Sequence, residues 1–216
     1  MSTWLLIPCQ RARLGMLEDT LMSLQHPREH VVIVTTMPDR ILPSDVFDLA
    51  GNLQISDVEG QRISTWWNTG IDYIRDVNTD PEYEICAVSS DCAGNPYSIP
   101  RMREFLRSND LIMAGPNYHT DQPQIFTADD TRTVLERVPG ACWMIRGETG
   151  LRLDEQFRWW YTDDDLEMQA RQLGPVGIIP DTGFQPLPDS YLSETVAVWA
   201  VEDRQKFIDK WRVQPW

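Results

Sequence analysis

Three adjacent carboxylates, Asp163-Asp164-Asp165, follow three adjacent aromatic residues, Trp159-Trp160-Tyr161, in the second half of the chain. Acidic side chains in the first turn of a helix interact favourably with the helix dipole, by about 0.3–1 kcal/mol each, and an aspartate can also cap free backbone amides. These structural roles account for one or two of the acids. Three in a row repel one another, which is tolerable at a solvated helix end or where one carboxylate acts as a base or binds a cation.

The aromatic residues before these acids have two interpretations. Aromatic faces beside carboxylates commonly hold a sugar by apolar stacking on its C–H face, so Trp159, Trp160 and Tyr161 are candidates for a sugar or acceptor site. Trp159 and Trp160 fit a place in the core equally well. Trp66 and Trp67 are further candidates to wall such a site, although Trp67 lies at helical spacing within an apolar stripe and is better explained as core.

A second acidic candidate ends an apolar run, where Glu84 to Val88 is followed by Ser89-Ser90-Asp91. A carboxylate at the end of a buried strand is aimed rigidly, and a hard divalent cation that carries a diphosphate needs only one or two protein carboxylates. Asp91 is therefore a candidate metal ligand. The alternative is that Asp91 merely opens a turn with Gly94 and Pro96, because aspartate is common in turns.

A third group of polar residues follows the first two apolar runs, at Pro8-Cys9-Gln10-Arg11 and from Thr35 to Arg40. Neither segment contains the glycine patterns GxGxxG or GxxxxGK[ST]. Those glycines let backbone amides cradle phosphate groups, so a Rossmann dinucleotide site and a P-loop nucleotide site are both disfavoured.

Short apolar runs alternate with helical periods, which is the pattern of an α/β layer structure with a largely parallel sheet. Strands are predicted at 4–9, 31–35, 53–58, 84–88, 111–115, 138–146 and 176–180. Helices are predicted near 14–24, 63–74, 99–106, 164–173 and 194–211, and residues 116–137 are expected to be irregular. Because ligands of open α/β sheets bind outside the carboxyl ends of the strands, the three polar groups are expected to lie together there.

Length and composition exclude several classes of protein. The 216 residues are enough for one compact domain, and the net charge of −14 repels polyanions, which disfavours duplex DNA as a partner without excluding it. No apolar stretch approaches the roughly 20 residues of a membrane span, and no basic leader precedes the first strand. The four cysteines, Cys9, Cys86, Cys92 and Cys142, have no zinc-like spacing, so we expect reduced thiols in a cytoplasmic protein.

Taken in chain order, these segments resemble the GT-A-fold glycosyltransferases, in particular the large family-two group that uses nucleotide-diphosphate sugars. The resemblance runs from Trp4 to about Pro180. It rests on the strand ending at Pro8, the second strand, the helix carrying Asn68-Thr69-Gly70-Ile71, the strand ending at Ser89-Ser90-Asp91, the Gly140-Ala141 strand, and the block from Leu153 through Phe157, Thr162–Leu166 and Arg171 to Gly174.

The resemblance implies a single Rossmann-like GT-A domain with a mostly parallel mixed sheet flanked by helices. Residues 1–115 would be the nucleotide-sugar-binding half, 116–192 the acceptor and catalytic half, and 193–216 a C-terminal helix. A chain of this size is similar to compact bacterial and phage enzymes of the group. The implied activity is hexosyl transfer from a nucleotide-diphosphate sugar to an acceptor hydroxyl, with inversion.

The family's site residues carry over position by position. Pro8 and Cys9, with Gln10 and Arg11 after them and with Thr35 or Asp39, would line the pocket for the nucleotide base and ribose, and Asn68 would lie near it. Ser89-Ser90-Asp91 matches the DXD motif, so Asp91 would meet a divalent cation, Mn²⁺ or Mg²⁺, on the diphosphate. Asp163 matches the base, and its neighbour Asp164 is the other candidate. Asp165 matches an acid that supports the local structure, and Gly140 and Ala141 match the acceptor side.

The chain departs from the family pattern at the metal. Ser89 replaces the first acid of DXD, and no histidine follows the last strand, so a third ligand is missing unless Asp181 or Gln185 substitutes. Ser89 also motivates the alternative hypothesis, a non-catalytic nucleotide- or carbohydrate-binding module on the same fold. A nucleotidyltransferase is less favoured, because the loop after the first strand has basic residues but no glycines. The acceptor remains open among a saccharide, a protein side chain and a modified nucleobase.

Overall fold

The structure is a computed structural model that describes residues 1–9, 14–35, 51–55, 62–119, 121–130, 137–186 and 194–213. The strands in this part of the chain are β1 (Ser2–Cys9), β2 (Val31–Thr35), β3 (Asn52–Ile55), β4 (Tyr83–Val88), β5 (Cys92–Ala93), β6 (Met113–Pro116), β7 (Gln124–Phe126), β8 (Cys142–Arg146), β9 (Val176–Ile179) and β10 (Gln185–Pro186). The α-helices are α1 (Leu14–Leu24), α2 (Ile63–Val77), α3 (Ser98–Ser108), α4 (Thr162–Leu173) and α5 (Glu194–Trp211). Short 3₁₀ turns cover Arg28–His30 and Gly147–Thr149.

Eight strands form one mixed sheet in the order β3-β2-β1-β4-β8-β6-β9-β7. The first four are parallel, as are β6 and β9, whereas β8 is antiparallel to both of its neighbours, β4 and β6. Because β8 runs opposite to β4 and β6 runs opposite to β8, β6 and its parallel neighbour β9 point the same way as β4. The carboxyl ends of β1, β2, β4, β6 and β9 therefore lie on one edge of the sheet, and β8 begins at that edge. The predicted fold class, a mostly parallel mixed sheet flanked by helices, is confirmed.

A hydrophobic core lies on each face of the sheet. On one face, α1 and α3 contribute the apolar residues of their helical stripes to a cluster with the strands; its helix members include Leu17, Leu21, Leu24, Ile99, Met102 and Leu106. On the other face, α2 and α4 contribute Trp66, Trp67, Ile71, Ile74, Leu166 and Ala170. Helix α2 approaches β1 closely because residue 70 is glycine: a Cβ there would lie 2.1 Å from Leu6 Cδ1. The two helical layers explain why β1 and β2 are apolar on both faces.

Trp66 and Trp67 belong to this second core, each with only 3% of its surface exposed. The Trp67 ring packs against Trp143, with the ring centroids 5.2 Å apart. The expectation that Trp67 is core is therefore confirmed, whereas Trp66 as a wall of the sugar site is wrong. Trp66 lies on the same buried side of α2 as Trp67.

The irregular stretch predicted at 116–137 contains a strand. Residues 124–126 form β7, which pairs with β9 in antiparallel register. Two further strands, β5 and β10, pair with each other beside the main sheet. Each of these strands has two or three residues, too few for an alternating pattern to be visible in the sequence. The strand predicted at 138–146 begins only at Cys142. The expected end of the third strand at residue 58 lies outside the described residues.

All four cysteines are buried free thiols. No helix in the described part of the chain is long and apolar enough to cross a membrane.

Candidate functional site

The segment after β4 forms a tight turn that holds the Asp91 carboxylate. The Ser89 hydroxyl donates a hydrogen bond to Asp91 Oδ1, and the Cys92 backbone N–H donates to the Ser89 carbonyl at 3.0 Å. Thr20 of α1 donates from its hydroxyl to the Ser90 carbonyl at 3.2 Å. Asp91 is 7% exposed, so its carboxylate is fixed by contacts within the turn and by the core beneath it.

The segment before β8 reaches the same place from the other half of the chain. The Ser89 backbone N–H donates to the Ala141 carbonyl at 2.8 Å, one step beyond the last β4–β8 pair, Val88 and Cys142. Next to Ala141, Gly140 packs against the acid run: a Cβ built on Gly140 would lie 2.9 Å from Asp163 Oδ2. The two acidic segments therefore meet at one edge of the sheet, linked by the backbone of Ala141 and Gly140.

Asp163 lies in the first turn of α4, with its carboxyl group against Gly140. Burial of that group and, to a smaller extent, the neighbouring Asp164 carboxylate raise its pKa to about 6. The Arg137 guanidinium and backbone N–H groups of the same turn act in the opposite direction. A carboxylate with this pKa is deprotonated at neutral pH and is basic enough to accept a proton from a hydroxyl group as its oxygen attacks.

The other two acids have different partners. Asp164 is 1% exposed and forms an ion pair with Arg137, whose Nη1 lies 3.1 Å from Oδ2. Asp165 is fully buried and binds the C-terminal helix: Trp211 Nε1 donates to Oδ1 at 2.8 Å, and Lys210 Nζ lies 2.8 Å from the same oxygen. These contacts give Asp165 a structural role, as expected, whereas Asp163 lies against Gly140.

The aromatic residues at 159–161 are partly exposed, so they are not part of the sealed core. Tyr161 adopts a left-handed backbone conformation, with φ 60° and ψ 10°, immediately before α4. Its ring packs on Phe207 of α5, with the centroids 5.6 Å apart. A non-glycine residue in this conformation is strained and persists only where surrounding contacts hold it.

Those contacts come from Asp203, which sequence reasoning missed. Its Oδ2 accepts the backbone N–H groups of Arg158, Trp159 and Trp160, at 3.0, 3.0 and 3.2 Å. The only signal in the sequence was its spacing of four residues from Phe207 and eight from Trp211, which places all three on one side of a helix. Arg137 was also missed, because it lies 27 residues from the aspartate that it pairs with.

The residues expected to hold the nucleotide lie along the same edge. Pro8 and Cys9 end β1, and Cys9 is in register with Thr35 at the end of β2. The Thr35 hydroxyl is buried and has no hydrogen-bond partner among the residues that the structure describes. Gln10, Arg11 and Asp39 lie outside the described residues. The structure thus brings Cys9 and Thr35 together, and their contact with a nucleotide stays a prediction.

Asn68 has a role that the sequence did not indicate. Its side-chain amide donates to the Leu153 carbonyl at 2.8 Å and to Glu155 Oε1 at 2.9 Å, and its oxygen accepts the Leu153 backbone N–H at 3.0 Å. These bonds fasten α2 to the loop that precedes the aromatic residues. The expected place of Asn68 beside the nucleotide stays a prediction, and its contacts give it a structural function.

Asp91 is the residue of this turn whose carboxylate could meet a cation that arrives on a diphosphate. Asp91 supplies one carboxylate, and β10 pairs with β5 so that Gln185 lies opposite Ala93, two residues from Asp91. Within the described ranges, no cluster of three or more His, Cys, Asp or Glu side chains could enclose a metal ion by itself. One carboxylate plus phosphate oxygens and water is a common coordination for Mg²⁺.

Searches with the sequence alone find no relative: no protein-family model and no curated protein matches the chain. Its structure, in contrast, matches crystal structures of S. aureus TarS, a GT-A-type glycosyltransferase, at 12% sequence identity. For TarS 1-349 in complex with UDP, the TM-score is 0.64, and the match covers 98% of this chain and 73% of that one. For the complex with UDP-GlcNAc, the TM-score is 0.61, with 97% and 67% covered.

The match to the longer TarS structure has a TM-score of 0.63 and covers 96% of this chain but only 44% of that one. The chain thus spans less than half of that TarS chain. At this identity the likeness concerns the fold alone. The chain has the GT-A glycosyltransferase fold.

Proposed function

We propose that this chain transfers a sugar from a nucleotide-diphosphate donor to an acceptor hydroxyl group, with Asp163 as the base. The observation that carries the proposal is the meeting of the Asp91 and Asp163 segments at one sheet edge, through the Ser89–Ala141 hydrogen bond and the Gly140–Asp163 contact. These acids are 72 positions apart in the chain, so it is the fold that brings their segments together. The fold shared with TarS, crystallised with UDP and UDP-GlcNAc, makes UDP-sugars the first donors to test.

In the proposed reaction, the Asp163 carboxylate accepts the proton of the acceptor hydroxyl as that oxygen attacks the anomeric carbon. The bond from the anomeric carbon to the diphosphate oxygen breaks, and the electron pair leaves with the nucleoside diphosphate. Attack from the face opposite to the leaving group inverts the anomeric configuration. General-base assistance of this kind contributes on the order of 10²–10⁴ to a rate.

Asp91 would hold a divalent cation bound to the donor diphosphate. When bound, such a cation offsets the negative charge that develops on the leaving group. The hydroxyl of Ser89 orients the Asp91 carboxylate for this role, because it already donates to Oδ1. The partly exposed rings of Trp159, Trp160 and Tyr161 lie directly before the base and are proposed to bind the sugar or the acceptor.

The test is turnover of nucleotide sugars by the full chain and by Asp163→Asn. A panel of UDP-sugars is incubated with Mn²⁺, and release of the nucleoside diphosphate is measured with and without candidate saccharide acceptors. We expect Asp163→Asn to lower the rate about 10²–10⁴-fold while calorimetric binding of UDP is retained. Asp121→Asn, the same change at an exposed loop position, is the matched control and should leave the rate unchanged.

Two outcomes would contradict the enzyme. Equal turnover by Asp163→Asn and Asp121→Asn would remove Asp163 from the reaction. Binding of UDP without turnover of any donor would favour the alternative, a non-catalytic nucleotide- or carbohydrate-binding module, for which Ser89 in place of an acid is the supporting observation. For any product formed, the anomeric proton coupling in its NMR spectrum distinguishes inversion from retention.

A further inference from the structure

The C-terminal helix contacts the segment that carries Asp163 from both sides. Before Asp163, the Asp203 carboxylate accepts three consecutive backbone N–H groups, those of residues 158–160. After it, Lys210 and Trp211 bind Asp165. Residues 161–164 lie between these two sets of contacts, and the first of them, Tyr161, packs on Phe207 of the same helix.

The contacting residues form one face of α5. Positions 203, 207, 210 and 211 are separated by four, three and one residues, so they lie on a single side of a helix. Asp203 and Phe207 are fully buried. Lys206 donates to Asp203 Oδ1 at 2.8 Å and to the Gln156 carbonyl at 2.7 Å, which neutralises the buried carboxylate and adds a further link to the same loop.

We propose that this helix face positions the catalytic loop and that Asp203 is the positioning residue. The inference rests on the proposed function, since it assigns Asp203 an effect on the reaction at Asp163. A buried carboxylate that accepts three backbone N–H groups fixes the direction of those three peptide units. It thereby fixes where the rings of Trp159 and Trp160 emerge and holds Tyr161 in its left-handed conformation.

The position of Asp163 depends on this arrangement because α4 begins directly after the strained residue. If the peptide units at 158–160 turn away, Tyr161 relaxes toward a common backbone conformation, and the first turn of α4 shifts with it. A displacement of about 1 Å at a catalytic group can lower a rate about 100-fold without affecting the binding of a ligand elsewhere. The donor nucleotide is proposed to lie near Cys9 and Thr35, on a different part of the sheet edge.

The experiment compares Asp203→Ala with Glu202→Gln in the full chain. Glu202 is the acid one position earlier on the same helix; it is exposed, and its carboxylate lies 3.4 Å from Nη1 of the Arg158 side chain. Two sets of measurements are made well below the melting temperature. The first is amide hydrogen exchange of residues 158–160, and the second is kcat and KM for transfer together with the affinity for UDP. Asp203→Asn is included because it keeps the shape and one acceptor oxygen.

We expect Asp203→Ala to speed exchange at 158–160 and to lower kcat about 10–100-fold, with UDP affinity within about twofold of the unmodified chain. Asp203→Asn should fall between the two, and Glu202→Gln should match the unmodified chain in both measurements. If Asp203→Ala does not fold, Asp203→Asn gives the same comparison with smaller effects.

Unchanged exchange at 158–160 in these variants would overturn the positioning role, whatever the activity. Faster exchange with unchanged kcat would also overturn it, because the loop would then be held without consequence for the reaction. An unmodified chain that turns over no donor would overturn the proposed function instead. The exchange measurement needs no substrate, so the two failures are distinguishable.

Discussion

The two acidic segments of the site are held in opposite ways. The Asp91 carboxylate accepts a hydrogen bond from Ser89, two positions away, in a turn that the Cys92 N–H closes, whereas the long-range bonds of this turn, from Thr20 and to Ala141, involve its backbone. Asp163 is held by partners from distant parts of the chain: Gly140, the Arg137–Asp164 pair beside it, and the C-terminal helix some 40 residues later. The Asp91 side chain is thus oriented from within its own turn, whereas the proposed base, Asp163, belongs to an assembly of three segments.

This difference predicts how each half of the site fails. Changes to the side chains near Asp91 should affect mainly cation and donor binding, because the Ser89 hydroxyl that orients Asp91 comes from the same turn. Changes at any of the three segments around Asp163 should affect the chemical step while the donor half remains intact. The predictions below test this separation, beginning with the largest expected effect.

Gly140→Ala should lower kcat about 10–100-fold. The new Cβ would come within 2.9 Å of Asp163 Oδ2, closer than such contacts are tolerated, and the Asp163 side chain is the part free to move. The carboxylate would therefore shift away from the acceptor while the fold is retained. The measurement is kcat beside the affinity for UDP, which should not change.

The control for this substitution is Gly15→Ala, where a Cβ meets nothing within 4 Å. It should leave both quantities unchanged. Should Gly140→Ala retain full activity, Asp163 would not depend on this contact, and the proposed convergence of the two acidic segments would lose its functional meaning.

Ser89→Ala should weaken UDP binding about tenfold in the presence of Mn²⁺ and should not weaken it in the absence of the cation. The hydroxyl orients Asp91, and loss of a group that orients a metal ligand typically costs 10–100-fold in metal affinity. Calorimetric titration with and without Mn²⁺ measures the difference. Ser108→Ala, at an exposed helix end, is the control, and an equal loss under both conditions would show that Ser89 acts on the nucleotide and not on the cation.

Much of the fold could be predicted from the sequence, because the residue patterns that indicate its strands and helices are local. The leucine stripe of α1, the β-branched run of β2 and the apolar positions of the tail predicted the observed elements, and the bounds of α1, β2 and α5 agree with the prediction. The turn at Asp91 could be predicted equally well, since a polar cluster directly follows a buried strand.

The surroundings of Asp163 could be predicted only in part from the sequence. The acid run was visible, but nothing local distinguished Asp163 from Asp164; their difference comes from Gly140 and Arg137, which the fold brings from 23 and 26 residues away. The role of Asp203 could not be predicted either, because its three hydrogen bonds are to backbone N–H groups, which nearly every residue has. Contacts of this kind depend on the tertiary arrangement and leave no pattern in one sequence.

The rate of transfer should depend on the ionisation of Asp163. Because the group must be deprotonated to act as a base, and its pKa is raised to about 6, kcat should be constant above that pH and fall about tenfold per pH unit below it. Arg137→Gln removes a positive charge that lowers this pKa, so the midpoint should move to higher pH, with a loss of roughly two- to tenfold at pH 6. Arg137→Lys keeps the charge and is the control; an unmoved midpoint in Arg137→Gln would contradict the assignment of Asp163 as the titrating group.

The smallest expected effect is on stability, and it has the opposite sign to the effect on activity. The pKa of Asp163 is about 6 in the folded chain and near 3.8 in the unfolded chain, so the folded state binds the proton more tightly. Protonation below pH 4 occurs in both states and changes nothing, whereas above pH 6 the folded state carries a charge that burial and Asp164 disfavour. Asp163→Asn removes that charge.

Asp163→Asn should therefore melt at a higher temperature than the unmodified chain at pH 8, by about 2–4 °C for each kcal/mol relieved, and by a much smaller margin at pH 4, where the folded chain carries the proton and the unfolded chain is roughly half protonated. Thermal denaturation at the two pH values measures this, with Asp121→Asn showing no pH-dependent difference. The proposed base carries a charge that burial and Asp164 disfavour, so removing that charge should stabilise the protein while lowering the rate of transfer. A lower melting temperature for Asp163→Asn at pH 8 would instead mean that the Asp163 carboxylate, like Asp165, contributes to holding the fold together.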